Sequence, residues 1–283
     1  MTGEWRGTLY LVGAALLYST GGVGIKAVDA PPLTIAACRA AIAAVALLVM
    51  LRPRGWRWTP TFVAAVASYA LCVTTFVVAT KWTTAANAIF LQFSGVVWIL
   101  LLAPRLLGEP RGPRDVPAIA AALAGLSLLL FSNLEPPGPG DAVAVLSGVF
   151  YAGLMLLLRK ERGVSADAAV MMGNAAAAGA LLPVVLATTG IGLSLPSALI
   201  LGWLGMVQIG IAVVLLTRGL RWVGAAPAAL VGMLEPVANP IWVLLLLGEV
   251  PSVASIVGGA TVIAAVAWRT MATPVTTQML PPE

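Results

Sequence analysis

Residues 231–249 read VGMLEPVANPIWVLLLLGE and carry the chain's most chemically loaded pattern. Glu235, Asn239 and Trp242 stand at i, i+4 and i+7, so in a helix they share one face: a carboxylate, an amide and an indole. Pro236 and Pro240 lack N–H groups and leave the carbonyls of Gly232 and Pro236 without helical partners. In an apolar setting those carbonyls need side chains or cavity water. This chemistry suits holding an ammonium group or a proton, or equally bonding to a neighbouring helix. The chain has no histidine, and its two cysteines, Cys38 and Cys72, are far apart in sequence, so the usual zinc and redox sites are excluded and no cofactor is expected.

The elements that must position these residues are membrane helices. Of 283 residues 60% are hydrophobic and only 10% charged, against about 25% charged in a soluble domain. Mean hydropathy is +0.99. Ten apolar segments have about the length needed to cross a bilayer: 8–28, 33–51, 61–80, 84–103, 116–132, 142–158, 167–187, 198–217, 226–246 and 252–269, numbered here as spans 1–10. The links are short and leave no room for a soluble domain. Residues 272–283 read as a disordered tail, and the amino terminus shows no cleaved signal peptide.

Charge sets an expected orientation. With the amino terminus inside, thirteen Lys and Arg fall on the inner side, Lys26 and Lys81 fall outside, and Arg39 lies within span 2. Both termini are then cytoplasmic, and the net charge of +5 is a topology signal that calls for no nucleic-acid partner.

The chain also repeats itself. Lys81–Glu109 (KWTTAANAIFLQFSGVVWILLLAPRLLGE) aligns with Arg221–Glu249, with nine of 29 positions identical, Trp82/Trp222 and the closing Leu-Leu-Gly-Glu among them. Gly7, Val12 and Tyr18 match Gly140, Val145 and Tyr151. Five spans per half is an odd number, so the second half is inverted. The expected fold is all-α, with ten transmembrane helices as two inverted five-helix repeats, residues 1–135 and 136–271. Such repeats support two mirror-related conformations, one open to each side.

Further candidates follow from the same logic. Tyr18 and Ser19 precede a Gly21-Gly22-Val23-Gly24 run that either packs closely or unwinds. Tyr151 is the repeat partner of Tyr18, and Ser94 and Trp98 share a face of span 4 with Asn87, while Gln92 points elsewhere. With Glu235, Asn239 and Trp242 these make the candidate substrate-binding set: Tyr18, Ser19, Ser94, Trp98, Tyr151, Glu235, Asn239 and Trp242. Trp5, Trp56, Trp58, Trp82 and Trp222 read as interfacial belt residues. Arg39 could attract a carboxylate, but the little polar surface of span 2 favours a structural residue that snorkels or bonds helix ends. Lys26 and Lys81 read as interface anchors, the two Gly-Glu pairs as helix caps, and Gly258-Gly259 as a close-packing position and candidate homodimer contact.

Ten short spans, the Arg in TIAACRAAIAAVALL, AALLYSTGGVGIK in span 1 and LEPVANPIWVLLLLGE in span 9 resemble the EamA type of the drug/metabolite transporter superfamily. Span 4 departs from the pattern, with Gly95-Val96 where span 9 has Glu-Pro, and Tyr18 stands where the family often has Trp. The further resemblance is to bacterial aromatic amino acid exporters of the YddG-like branch. It implies efflux of aromatic and apolar amino acids across a bacterial inner membrane, with a small molecule and the lipid bilayer as partners and no enzymatic activity. The alternatives are a carrier of another small neutral or zwitterionic metabolite or drug and, from another class, an intramembrane enzyme on lipid-linked substrates. No phosphate-binding loop supports direct ATP use.

Overall fold

A computed structural model describes residues 3–53, 56–108, 115–130, 138–160, 166–223, 231–232 and 234–271. The described residues contain helices and no strand. The helices are α1 (Gly3–Ser19), α2 (Gly21–Ala27), α3 (Pro32–Leu51), α4 (Pro60–Trp82), α5 (Ala85–Gln92), α6 (Ser94–Leu107), α7 (Asp115–Leu130), α8 (Pro139–Lys160), α9 (Ala166–Thr188), α10 (Leu195–Gly202), a π-helical segment (Trp203–Ile211), α11 (Ala212–Gly219), α12 (Leu234–Leu247) and α13 (Val253–Met271). The described parts of the expected segments are largely helical; residues 131–132, 226–230 and 233 of spans 5 and 9 lie outside the described residues. Among the described residues six stretches of 20 to 25 residues are long and apolar enough to cross a membrane, and the bent pair α5 and α6 makes a seventh when taken as one span. Apolar helices in spans 5, 9 and 10 are shorter. The chain is thus a multi-pass membrane protein. The tail 272–283, Glu109 and residues 224–230 of the repeat lie outside the described residues.

Local sequence accounts for the starts and breaks. Pro32 and Pro60 open α3 and α4, where a missing N–H is harmless. Thr59 and Thr84 cap α4 and α5 by accepting from Phe62 N and Asn87 N, each at 3.1 Å. The seventh span bends by 42° at Leu100, four residues before Pro104, where the proline ring displaces a helical carbonyl. Span 1 is interrupted at Thr20, directly before its glycine run. Gly108 (φ 69°) and Gly248 (φ 71°) close α6 and α12 in the left-handed conformation, as the Gly-Glu pairs implied.

Helix packing follows a matched pattern in the numbering of the ten segments. Span 3 lies on span 6, and span 8 on span 1; span 4 lies on span 6, and span 9 on span 1; span 3 lies on span 7, and span 8 on span 2. Spans 2 and 7 pack together, as do 5 and 10. Exchanging each span with the one five places later leaves these pairings unchanged, whereas the contacts of span 3 with spans 2 and 4 have no counterpart of similar extent among the described residues. The repeated residues obey the same exchange. A Cβ on Gly7 would lie 2.6 Å from Trp222 Cβ, and one on Gly140 would lie 2.6 Å from the Trp82 carbonyl carbon.

The glycines of span 10 serve this packing. A Cβ on Gly125 would lie 2.7 Å from the Gly258 carbonyl, and one on Gly259 would lie 2.6 Å from the Phe90 ring. The close-packing role expected for Gly258-Gly259 is therefore met within one chain.

Candidate functional site

Glu235 lies in the first turn of α12 and is half-buried. Its charge acts on Tyr18 of α1, Arg39 of α3, Cys72 of α4 and Tyr151 of α8. Tyr69 of α4 belongs to the same neighbourhood through Tyr18 and Arg39. Groups on four other helices thus lie within electrostatic range of this carboxylate. Tyr151 is 37% exposed although it packs against Gly95, whose Cβ would lie 2.8 Å from Tyr151 Cδ1.

Arg39 differs from its expected role. It does not snorkel: it is 6% exposed and donates from Nη2 to Gln208 Oε1 at 2.7 Å. The physical reason is the alanine-rich surface of α3, which packs against α9 and the π-helical segment. A Cβ on Gly205 would lie 2.9 Å from the Arg39 carbonyl, so the two backbones are close and the guanidinium must find partners inside. Gln208 sits in the π-helical segment and in turn donates to the Tyr18 carbonyl at 3.1 Å, just before the break in span 1. Wide helical turns of this kind are frequent at functional sites.

Of the three residues on the predicted face of span 9, Asn239 and Trp242 contact span 1, and Glu235 is linked to it only through its field. Glu235 acts on Tyr18, Trp242 Nε1 donates to Ser19 Oγ at 2.9 Å, and Asn239 packs on Gly22. The Ser19 hydroxyl in turn donates to the Leu16 carbonyl at 2.7 Å. The glycine run both breaks the helix and packs closely: a Cβ on Gly21 would lie 2.9 Å from Gln208 Nε2, and one on Gly24 would lie 2.6 Å from Leu204. A pocket of about 310 Å³ flanks the break, lined by Thr20, Val23, Gly24, Trp203, Trp242 and Leu246. It is apolar and includes none of Glu235, Arg39 or Tyr151, so the polar cluster lies beside it.

Span 4 forms a second group. Ser94 is 3% exposed and packs on Gly148, with no hydrogen-bond partner for Oγ. Trp98, one turn on, has a buried indole N–H that is likewise unpartnered. Gln92 reaches Ser147 Oγ at 2.7 Å and Cys72 Sγ at 3.6 Å, so Cys72 belongs to a polar contact as well as to the packing. Gly95, next to Ser94, packs against Tyr151 and so links this group to the cluster. Trp58, Trp82 and Trp222 are more than half exposed and Trp5 half exposed, and Trp98 and Trp242 are half-buried, but Trp56, expected in the belt, is also half-buried and packs against the cluster of Phe62 and Val66.

Tyr69, Gln208 and Asn174 escaped the sequence reading. Asn174 is fully buried and donates to Tyr69 Oη at 3.1 Å. Lone amides in the apolar runs MMGNAAAA and GMVQIGIA were the available signal, because polar side chains inside spans need partners. At one end of the bundle Lys26 pairs with Glu249 at 3.3 Å and donates to the Thr83 carbonyl at 2.8 Å, while Lys81 donates to the Val28 carbonyl at 2.8 Å. These lysines tie helix ends together and are more than interface anchors.

Comparison with known proteins fits this architecture. The fold matches a protein of known crystal structure with a TM-score of 0.66 and 21% identity, over 94% of this chain and 99% of the other. No curated protein matches the sequence significantly. The EamA-like transporter family model matches twice, over residues 5–131 and 138–271. With both halves of a helical membrane bundle matched in this way, the chain belongs to the EamA-like transporter family.

Proposed function

We propose that the chain is a secondary transporter that exports small metabolites, aromatic and apolar amino acids foremost, across a bacterial inner membrane. It has ten spans with both termini cytoplasmic, arranged as inverted repeats 1–135 and 136–271. Transport proceeds by alternating access through a central site between them. The family membership and the exchange-symmetric helix pairing support the carrier reading. The bias of thirteen inner against two outer basic residues supports the orientation.

One observation carries the site. Glu235 stands where the first repeat has Gly95, and its charge acts on Tyr18, Tyr151 and Arg39 from three other helices. A carboxylate inside a membrane costs several kcal/mol unless a partner or cavity water meets it. In this reading it binds the substrate ammonium or a coupling proton, Tyr18 and Tyr151 flank the substrate, and Ser19, Asn239 and Trp242 shape the wall beside span 1. Ser94 and Trp98 add two buried donors without partners that this reading assigns to the substrate. The aromatic lining with few placed polar groups suits a small amphipathic ligand.

Counterflow in proteoliposomes against an amino acid panel, with and without a pH gradient, tests the proposal. Saturable countertransport that falls at least tenfold in Glu235→Gln at equal protein content is the expected result. Unchanged flux and pH response in that variant removes Glu235 from the site. Saturable flux of a different small metabolite keeps the carrier and replaces the amino acid.

A further inference from the structure

Arg39 and Glu235 carry opposite charges in one membrane-embedded neighbourhood, yet they form no ion pair. Among the described residues the ion pair with a printed geometry joins Lys26 to Glu249 at the end of the bundle. Buried opposite charges attract strongly at low dielectric, so two that stay apart are separated by the scaffold. Arg39 is also underused. Of its five N–H groups one is taken by Gln208, and Nε is buried with no partner. A neutral amide is a weak counterpart for a guanidinium, since carboxylates give stronger and often bidentate bonds.

We propose that Arg39 recognises the carboxylate of a zwitterionic substrate whose ammonium faces Glu235, and that Gln208 occupies the guanidinium until the substrate displaces it. The inference rests on the amino acid reading above and adds the substrate's second charged end. The bound zwitterion supplies both missing countercharges at once, removing the penalty of two unpaired charges. Displacement also bears on conformation. Gln208 joins Arg39 to the Tyr18 carbonyl ahead of the span 1 break, so moving its side chain loosens the tie between α3, the π-helical segment and α1. Substrate recognition and movement at the break are thereby connected through one amide.

Binding to the full-length protein in detergent tests this with three probes: L-phenylalanine, 3-phenylpropionate (carboxylate only) and phenethylamine (ammonium only). In Arg39→Gln the affinity for phenylalanine and phenylpropionate falls about 10- to 100-fold, the scale of a lost charged hydrogen bond, while phenethylamine stays within about twofold. Glu235→Gln gives the opposite pattern for the two single-charge probes. Gln208→Glu keeps the fold, gives Arg39 an internal carboxylate and lowers phenylpropionate affinity by at least tenfold. Equal losses for all three probes in Arg39→Gln, no loss at all, unchanged phenylpropionate affinity in Gln208→Glu, or no carboxylate binding by the unmodified protein each overturns the proposal. The expected binding pattern without flux in vesicles overturns the transport reading and leaves the Arg39 assignment standing. Flux of an uncharged or purely cationic compound, with no carboxylate bound, does the reverse.

Discussion

Lys26 and Glu249 meet at 3.3 Å where α2 ends and α12 has just closed, and Glu249 Oε1 also accepts the Ala85 N–H at 2.8 Å at the start of α5. One carboxylate thus joins three helix ends. The pair is about a quarter exposed, so its Coulomb part is modest. The bond to the unsatisfied N–H at the start of a helix adds to it. Glu249→Gln is expected to lower stability by about 1 kcal/mol. The Lys26→Glu, Glu249→Lys double reversal restores the ion pair but not the bond to Ala85, so thermal unfolding in detergent should show only partial recovery.

Gly7 and Gly140 are repeat partners that contact the repeat partners Trp222 and Trp82. An added Cβ meets atoms at 2.6 Å in both places, so Gly7→Ala and Gly140→Ala should each destabilise by about 1–3 kcal/mol. Similar losses by thermal unfolding are the expectation. A neutral change at either position refutes the matched packing at that position.

Gly22 and Gly179 separate close packing from mere helix permissiveness. A Cβ on Gly22 runs into the Asn239 amide, whereas one on Gly179 meets nothing within 4 Å. Gly22→Ala should therefore reduce stability and flux together. Gly179→Ala should be neutral or stabilise by roughly 0.5–1 kcal/mol, since alanine restricts the unfolded chain and favours helix. Unfolding temperatures of the two variants check the sign of each.

Trp242 and Ser19 are joined by an indole N–H bond of 2.9 Å across α12 and α1. Trp242→Phe keeps most of the ring and removes the donor, at a cost of about 1 kcal/mol. Substrate affinity should fall several-fold. Ser19→Ala should produce much the same change, and the double variant little more than either single one. Additive losses in flux measurements would show that the two residues act independently.

Much was legible in the sequence because the bilayer imposes simple length and polarity rules. Helix type, the apolar spans that the described residues show and the capping glycines follow from periodicity and hydropathy. The repeat was equally visible, and its identities Gly7/Gly140 and Trp82/Trp222 turn out to be contact positions.

Tertiary structure decided what each polar side chain faces. Arg39 reads alike in sequence whether it reaches a bilayer surface or a neighbouring helix; close packing of α3 on Gly205 turns it inward to Gln208. Tyr69, Asn174 and Gln208 lie in different spans, and nothing in their local sequence joins them to Tyr18 or Arg39. Local sequence specifies helices because backbone hydrogen bonding inside a membrane must be satisfied within the segment. Which buried polar groups meet depends on how the helices cross, and that is a property of the packed bundle alone.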